Sequence, residues 1–176
     1  MSKLKLRSVS PKKRKFIQEA LMLWDKSRKS AHQQANFIER MTNAGWVNKN
    51  AEYGAHKECF WKGMVAIKFA RNNAAQSILE IQREWEQAKV APKELKKYFP
   101  KSYIYKEGFL IQDRVLLKCN QVASCDSYDV ANRFQLYDAD HNHGHNLAGN
   151  LKFFDWVYYR TGKYLDTANS NIKLGG

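Results

Sequence analysis

Apolar residues recur at two different spacings along this chain, and the change falls near Pro100. Ser10-Pro11 reads as a helix start, a hydroxyl N-cap followed by Pro at the first helical position. Phe16, Ile17, Ala20, Leu21 and Trp24 then follow at the three-and-four spacing of one buried helical face. Ser30 with Gln33 resembles a capping box. The helix beyond it would bury Phe37, Ile38 and Met41, and Gly45 stands where a left-handed residue ends a helix. Residues 51–90 carry Tyr53, Phe60, Met64, Ile67, Ile78, Leu79, Ile81 and Trp85 and read as helical throughout, with a break at Arg71-Asn72-Asn73. Pro92 restarts a short helix, which Pro100 stops.

Beyond Pro100 the pattern turns strand-like. Ser102 to Lys106 and Phe109 to Ile111 flank Glu107-Gly108 as a hairpin, and Arg114 to Lys118 and Arg133 to Tyr137 read as further strands. A polar loop follows, and the aromatic run from Leu151 to Tyr159 reads as a buried helix. The predicted class is α+β, a mainly helical basic N-terminal part with a small β-containing C-terminal part. Its regions would be a basic arm over 1–10, a helical basic region over 11–100, a β-rich part with an Asp/His loop over 101–166, and a loose tail over 167–176.

Charge sharpens this division. The chain has 176 residues and a formal net charge of +13, and residues 1–30 hold ten basic side chains against two acidic ones. Residues 101–176 are nearly balanced and hold seven of the eight aspartates. The length suits one domain, or one domain with an arm, and is enough to form a core without disulfides or metal. No apolar run approaches the ~20 residues of a membrane span, and none fits a signal peptide. Three cysteines, an odd count, suit a reduced, cytoplasmic setting.

The basic residues point to a polyanion. Lys12, Lys13, Arg14 and Lys15 open the first helix, and Lys26, Arg28 and Lys29 close it. Lys62, Lys68 and Arg71 fall on the central segment, with Lys96 and Lys97 on the short helix. Such groups contact phosphates with salt-dependent, largely sequence-independent affinity. The expected partner is nucleic acid, DNA or RNA, with a protein partner in a nucleoprotein complex as a further option. A membrane surface is not expected, because nothing couples an exposed apolar face to a lipid anchor.

The segment most suggestive of chemistry is Asp138-Ala139-Asp140-His141-Asn142-His143-Gly144-His145-Asn146, which holds three of the five histidines. Carboxylate and imidazole are metal ligands, and an imidazole beside a cation can act as a general base. Equally, Asp, Asn, His and Gly all suit a plain turn. An EF-hand fails because His143 and Gly149 occupy its Gly and Glu positions. A zinc site using Cys119 and Cys125 has too wide a gap between its cysteines.

Leu136 through Gly144, continuing to Gly149-Asn150-Leu151, resembles the HNH (ββα-metal) nucleases of the endonuclease VII-like group. That resemblance implies Asp140 as metal ligand and His141 as general base. Asp155, Asn146 and His145 are auxiliary candidates beside them, and the metal would be Mg2+ or Zn2+. Lys152-Phe153-Phe154-Asp155-Trp156 stands where the group has C-x-x-C-N. Two functions remain open. One is a basic nucleic-acid-binding protein, an accessory or antagonist factor of a phage or mobile element acting without catalysis. The other is a metal-dependent HNH-type endonuclease.

Overall fold

The computed structural model describes residues 8–28, 31–48, 57–71, 75–116, 125–137, 142–154, 157–160 and 163–164. The chain divides into two units, each made of two stretches. The first is Met1–Ile78 with Ser102–Arg114, and the second is Leu79–Lys101 with Val115–Gly176.

In the first unit, helices α1 (Pro11–Ser27) and α2 (Gln33–Asn43) precede three strands, β1 (Val47–Asn48), β2 (Lys57–Lys62) and β3 (Val65–Ala70). Two more strands, β4 (Ser102–Lys106) and β5 (Phe109–Asp113), complete an antiparallel sheet of order β1-β2-β3-β5-β4. Ser10 caps α1 by accepting from the Lys13 backbone N–H, with Pro11 in the first turn. The start of α2 differs from the sequence reading, since its N-cap is His32 and carries no side-chain cap bond. Its end follows the sequence. Gly45 has φ +78°, its N–H donates to the Thr42 carbonyl, and the Trp46 N–H donates to the Met41 carbonyl. These two bonds form a Schellman motif, which satisfies carbonyls the helix would leave open.

Register divides the sheet into two faces. Phe60, Ile67 and Ile111 are paired neighbours on one face, as are Phe69 and Phe109. There they join Ile17, Ala20, Trp24, Phe37 and Met41 from the two helices in one core. Trp24 stacks on Phe109 at 4.5 Å and meets Phe37 edge-on at 5.0 Å, geometries that aromatic quadrupoles favour.

The arrangement expected from sequence, a helical N-terminal part ahead of a small β-containing C-terminal part, is overturned. Three strands fall inside the segment read as helical, so the sheet is built from the middle of the chain. The cause is burial on both faces. All six residues of β3 are buried, so it shows no alternation, and a continuous apolar run cannot be told from a buried helix by period alone. Gly63 is the local signal for the strand reading. It opens a two-residue turn between Lys62 and Val65 with φ +57°, where a Cβ would also approach Phe16 to 2.9 Å. The Glu107-Gly108 hairpin is present, with Lys106 opposite Phe109.

The second unit takes in most of α3 (Ala75–Val90), the short α4 (Lys93–Lys96) and α5 (Cys125–Arg133). Strands β6 (Leu136–Tyr137), β9 (Val157–Arg160) and β10 (Lys163–Tyr164) form one sheet, and β7 (His143–His145) and β8 (Leu151–Phe153) form a hairpin. Ala91, Leu95, Phe99, Ala131, Leu136 and Phe153 make its core. The helix expected from Leu151 to Tyr159 is replaced by β8 and β9, because its aromatics again masked the strand period. The strand expected over Arg133 to Tyr137 shrinks to two residues. Arg133 still ends α5, and Gln135 turns the chain with φ 53°. Residues 1–7 of the arm expected over 1–10, and the tail over 167–176, lie outside the described residues. Among the described residues, no helix is long and apolar enough to cross a membrane.

Candidate functional site

The basic residues of the sequence reading divide into surface groups and internal ones. On α1, Lys12, Lys15, Lys26 and Arg28 are exposed. Lys13 instead reaches Asp113 at 2.6 Å and the Tyr103 hydroxyl at 3.3 Å, tying α1 to the sheet. Tyr103 also donates to Asp113 at 2.6 Å. Burial, reinforced by the hydrogen bond to Asp113 and its negative charge, pushes the Tyr103 hydroxyl well above the ordinary phenol range. The Arg14 guanidinium donates to the Val9 carbonyl.

Two further cations hold the unit together. Lys62 pairs with Glu19 at 2.9 Å and donates to the Ala44 carbonyl at the end of α2. Arg71 pairs with Glu58 at 2.8 Å. Each therefore has an internal anion where the sequence suggested a phosphate contact. Lys29 lies outside the described residues, and Lys96 and Lys97 are exposed on the second unit.

Lys68 is more deeply buried than any of these. It lies in the interior of β3 and is 5% exposed. Register pairs it with Cys59 on β2 and Leu110 on β5, so it belongs to the face opposite the helix-packed core. Alternation puts Ala66 and Ala70 on either side of it on the same face. Trp61, paired with Ala66, shares this face, and the Arg114 guanidinium stacks 3.3 Å above its ring. Burial lowers the Arg114 pKa, opposed by the charge of Cys59. The sheet thus carries a buried lysine flanked along its own strand, on this face, by two alanines.

The sequence reading placed Lys68 on a helix and grouped it with surface lysines. The signal it passed over is the tetrad Val65-Ala66-Ile67-Lys68, two residues beyond a turn glycine.

The Asp/His segment is only partly within view. Asp140, His141 and Asp155 lie outside the described residues, as does Asp138. Of the other predicted ligands, His145 and Asn146 sit at the end of β7 and in the turn that follows. The Asn146 side-chain carbonyl accepts from the backbone N–H groups of Ala148 and Asn150, both at 3.0 Å. That is a turn-forming role. His145 Nδ1 is 2.9 Å from the Asn146 carbonyl, which can only accept, so the bond places the proton on Nδ1. The His145 backbone exchanges both its bonds with Leu116. Gly144 is needed beside them, since a Cβ there would collide with the Leu116 carbonyl oxygen.

Among the described residues, no three His, Cys, Asp or Glu side chains come together to hold a metal. Where the HNH resemblance wants a helix after the loop, the described residues are strand. No family model matches the chain, and no curated protein matches it.

Proposed function

We propose that the five-stranded sheet binds the phosphates of a nucleotide, with Lys68 as the cationic contact. The observation that carries the reading is the Val65-Ala66-Ile67-Lys68 run on an interior strand, its lysine almost fully withdrawn from solvent. A V-A-I-K run on the third strand is the segment with which protein kinases hold the α- and β-phosphates of ATP, and a strand context is what gives those four letters meaning. Here the run lies on the third strand of an antiparallel sheet, and helix α3 comes next in the chain.

The chemistry follows from the residue types. An ammonium removed from water is a strong point charge for an anion, because little solvent competes for it. Alanines flank Lys68 on the same face of the strand.

The proposal covers binding and includes no transfer step. His143-Gly144-His145-Asn146-Leu147-Ala148-Gly149-Asn150 keeps the first His and last Asn of the kinase spacing H-R-D-L-x-x-x-N. However, His145 occupies the place of the Asp that serves there as catalytic base.

Calorimetric titration of the full chain with ATP and Mg2+ tests the reading. Wild type binds, and Lys68→Met binds at least about tenfold more weakly, the loss of one charge-assisted contact of ~1.5–3 kcal/mol. Lys68→Arg also binds weakly, because a planar fork does not replace a compact ammonium. Circular dichroism and unfolding midpoints confirm that the variants are folded. Equal affinity in wild type and Lys68→Met, or no binding by wild type, refutes the proposal.

A further inference from the structure

We infer that the exposed side of α1 docks the phosphate backbone of a nucleic acid. This is independent of the nucleotide reading, since Lys68 lies on the sheet face opposite the helix-packed core. Lys12, Lys15, Lys26 and Arg28 are exposed, and among the described residues none of these four side chains pairs with an acid.

The acids of the helix itself are already engaged. Glu19 and Asp25 are the two acids of α1. Both carboxylate oxygens of Glu19 accept from Lys62 of β2, at 2.9 and 3.2 Å. Asp25 pairs with Lys106 of β4 at 2.9 Å. Lysines of the sheet therefore take up the acids of α1 and leave its outward cations in excess.

Helical spacing gathers three of these cations. Residues 12, 15 and 26 are three and eleven positions apart, close to one and three full turns, so they share one side of α1. Lys12 to Lys26 covers about 21 Å of helix rise, roughly the axial length of six phosphates on one strand of a DNA duplex. Lys12 also stands where the helix does not favour it. The first turn of α1 holds no acid, and this is the positive end of the dipole, which anions stabilise. A polyanion supplies the missing negative charge, and its binding releases counterions.

A phosphate polymer fits better than a lipid surface. A helix lies in a membrane interface by burying a continuous apolar face there. The apolar face of α1, with Ile17, Ala20, Leu23 and Trp24, is already buried in the core. Among the described residues of this unit, Met22 and Val47 are the exposed large apolar side chains, and only Met22 is on α1. The four cations are point contacts, so binding should be to backbone phosphate and insensitive to base sequence.

The test is fluorescence anisotropy of the full chain with a short labelled duplex DNA and with a single-stranded RNA. Phosphatidylserine vesicles serve as a separate probe by co-sedimentation. Lys12→Ala/Lys15→Ala/Lys26→Ala should weaken nucleic-acid binding at least about tenfold and, for duplex DNA, flatten the slope of log affinity against log salt by about 3. Lys93→Ala/Lys96→Ala/Lys97→Ala removes the same charge from the second unit and should cost less than about threefold. Met22→Ser should leave nucleic-acid binding unchanged. Lys12→Glu should bind more weakly than wild type with a urea midpoint no lower, because an acid suits that end of the helix. The anisotropy result does not depend on whether ATP binds at Lys68, so the two readings fail separately. No binding by wild type, no loss in the α1 triple variant, equal losses in the two triple variants, a lowered midpoint in Lys12→Glu, or binding to vesicles but not to nucleic acid would each overturn the inference.

Discussion

Replacing Asp113 by alanine should destabilise the first unit far more than its half-exposed position suggests. Two bonds converge on one oxygen, as Lys13 Nζ and the Tyr103 hydroxyl both lie 2.6 Å from Asp113 Oδ1. They differ in worth. The ion pair has both side chains about a quarter to a third exposed, at 26% and 30%, so water screens it and its share is about 0–1 kcal/mol. Tyr103 is a buried core residue, and removing the acceptor takes from its hydroxyl a hydrogen bond to a carboxylate, worth ~1.5–3 kcal/mol. Asp113→Ala should therefore cost about 2–3 kcal/mol. For a chain of this length that lowers the melting temperature by roughly 4–12 °C. Urea unfolding followed by tryptophan fluorescence is a suitable assay, because Trp24 lies in the affected core. Lys13→Met should cost less than about 1 kcal/mol. A double-mutant cycle between Asp113→Ala and Tyr103→Phe should give a coupling of ~1–2 kcal/mol. If Asp113→Ala falls within about 0.5 kcal/mol of wild type, or costs no more than Lys13→Met, this account of the triad is wrong.

Other predictions follow from the same kind of geometry. Gly144→Ala forces a methyl group against the Leu116 carbonyl and should destabilise by about 1–3 kcal/mol or more, read as a lowered urea midpoint. Tyr103 keeps its proton more tightly in the fold than in the unfolded chain. Its stabilising contribution is complete below the unfolded value of about 10 and is lost as pH rises beyond it. Tyr103→Phe should accordingly flatten the fall in melting temperature between about pH 9 and 11, and an unchanged slope would remove Tyr103 as its source.

What could be read from the sequence was mostly its punctuation. Ser10-Pro11 marked the start of α1, Gly45 the end of α2 and Glu107-Gly108 a hairpin, because each residue type has a conformational reason to stand there. Interiors were less legible. Cys59-Phe60-Trp61 and Val65 through Ala70 are so apolar that strand and helix look alike, and the same holds around Phe153. Losing the strand also meant losing Lys68, since a lysine on a presumed helix looks like one more surface charge. The ion pairs of Lys13, Lys62 and Arg71 were illegible for a different reason. Their anions are Asp113, Glu19 and Glu58, and chain order says little about which acid a distant lysine will meet.

Strand order has a consequence for how the protein is made. β5 lies between β3 and β4, so an interior position of the sheet is filled by the last of its strands to leave a ribosome. At ~5–20 residues per second, the stretch from Ala70 to Asp113 takes roughly 2–9 s to emerge. Throughout that interval the hydrogen-bonding edge of Val65–Ala70 has no partner from its own chain. Nascent copies on neighbouring ribosomes would be most prone to cross-pair at this strand, and a chaperone would be of greatest use there.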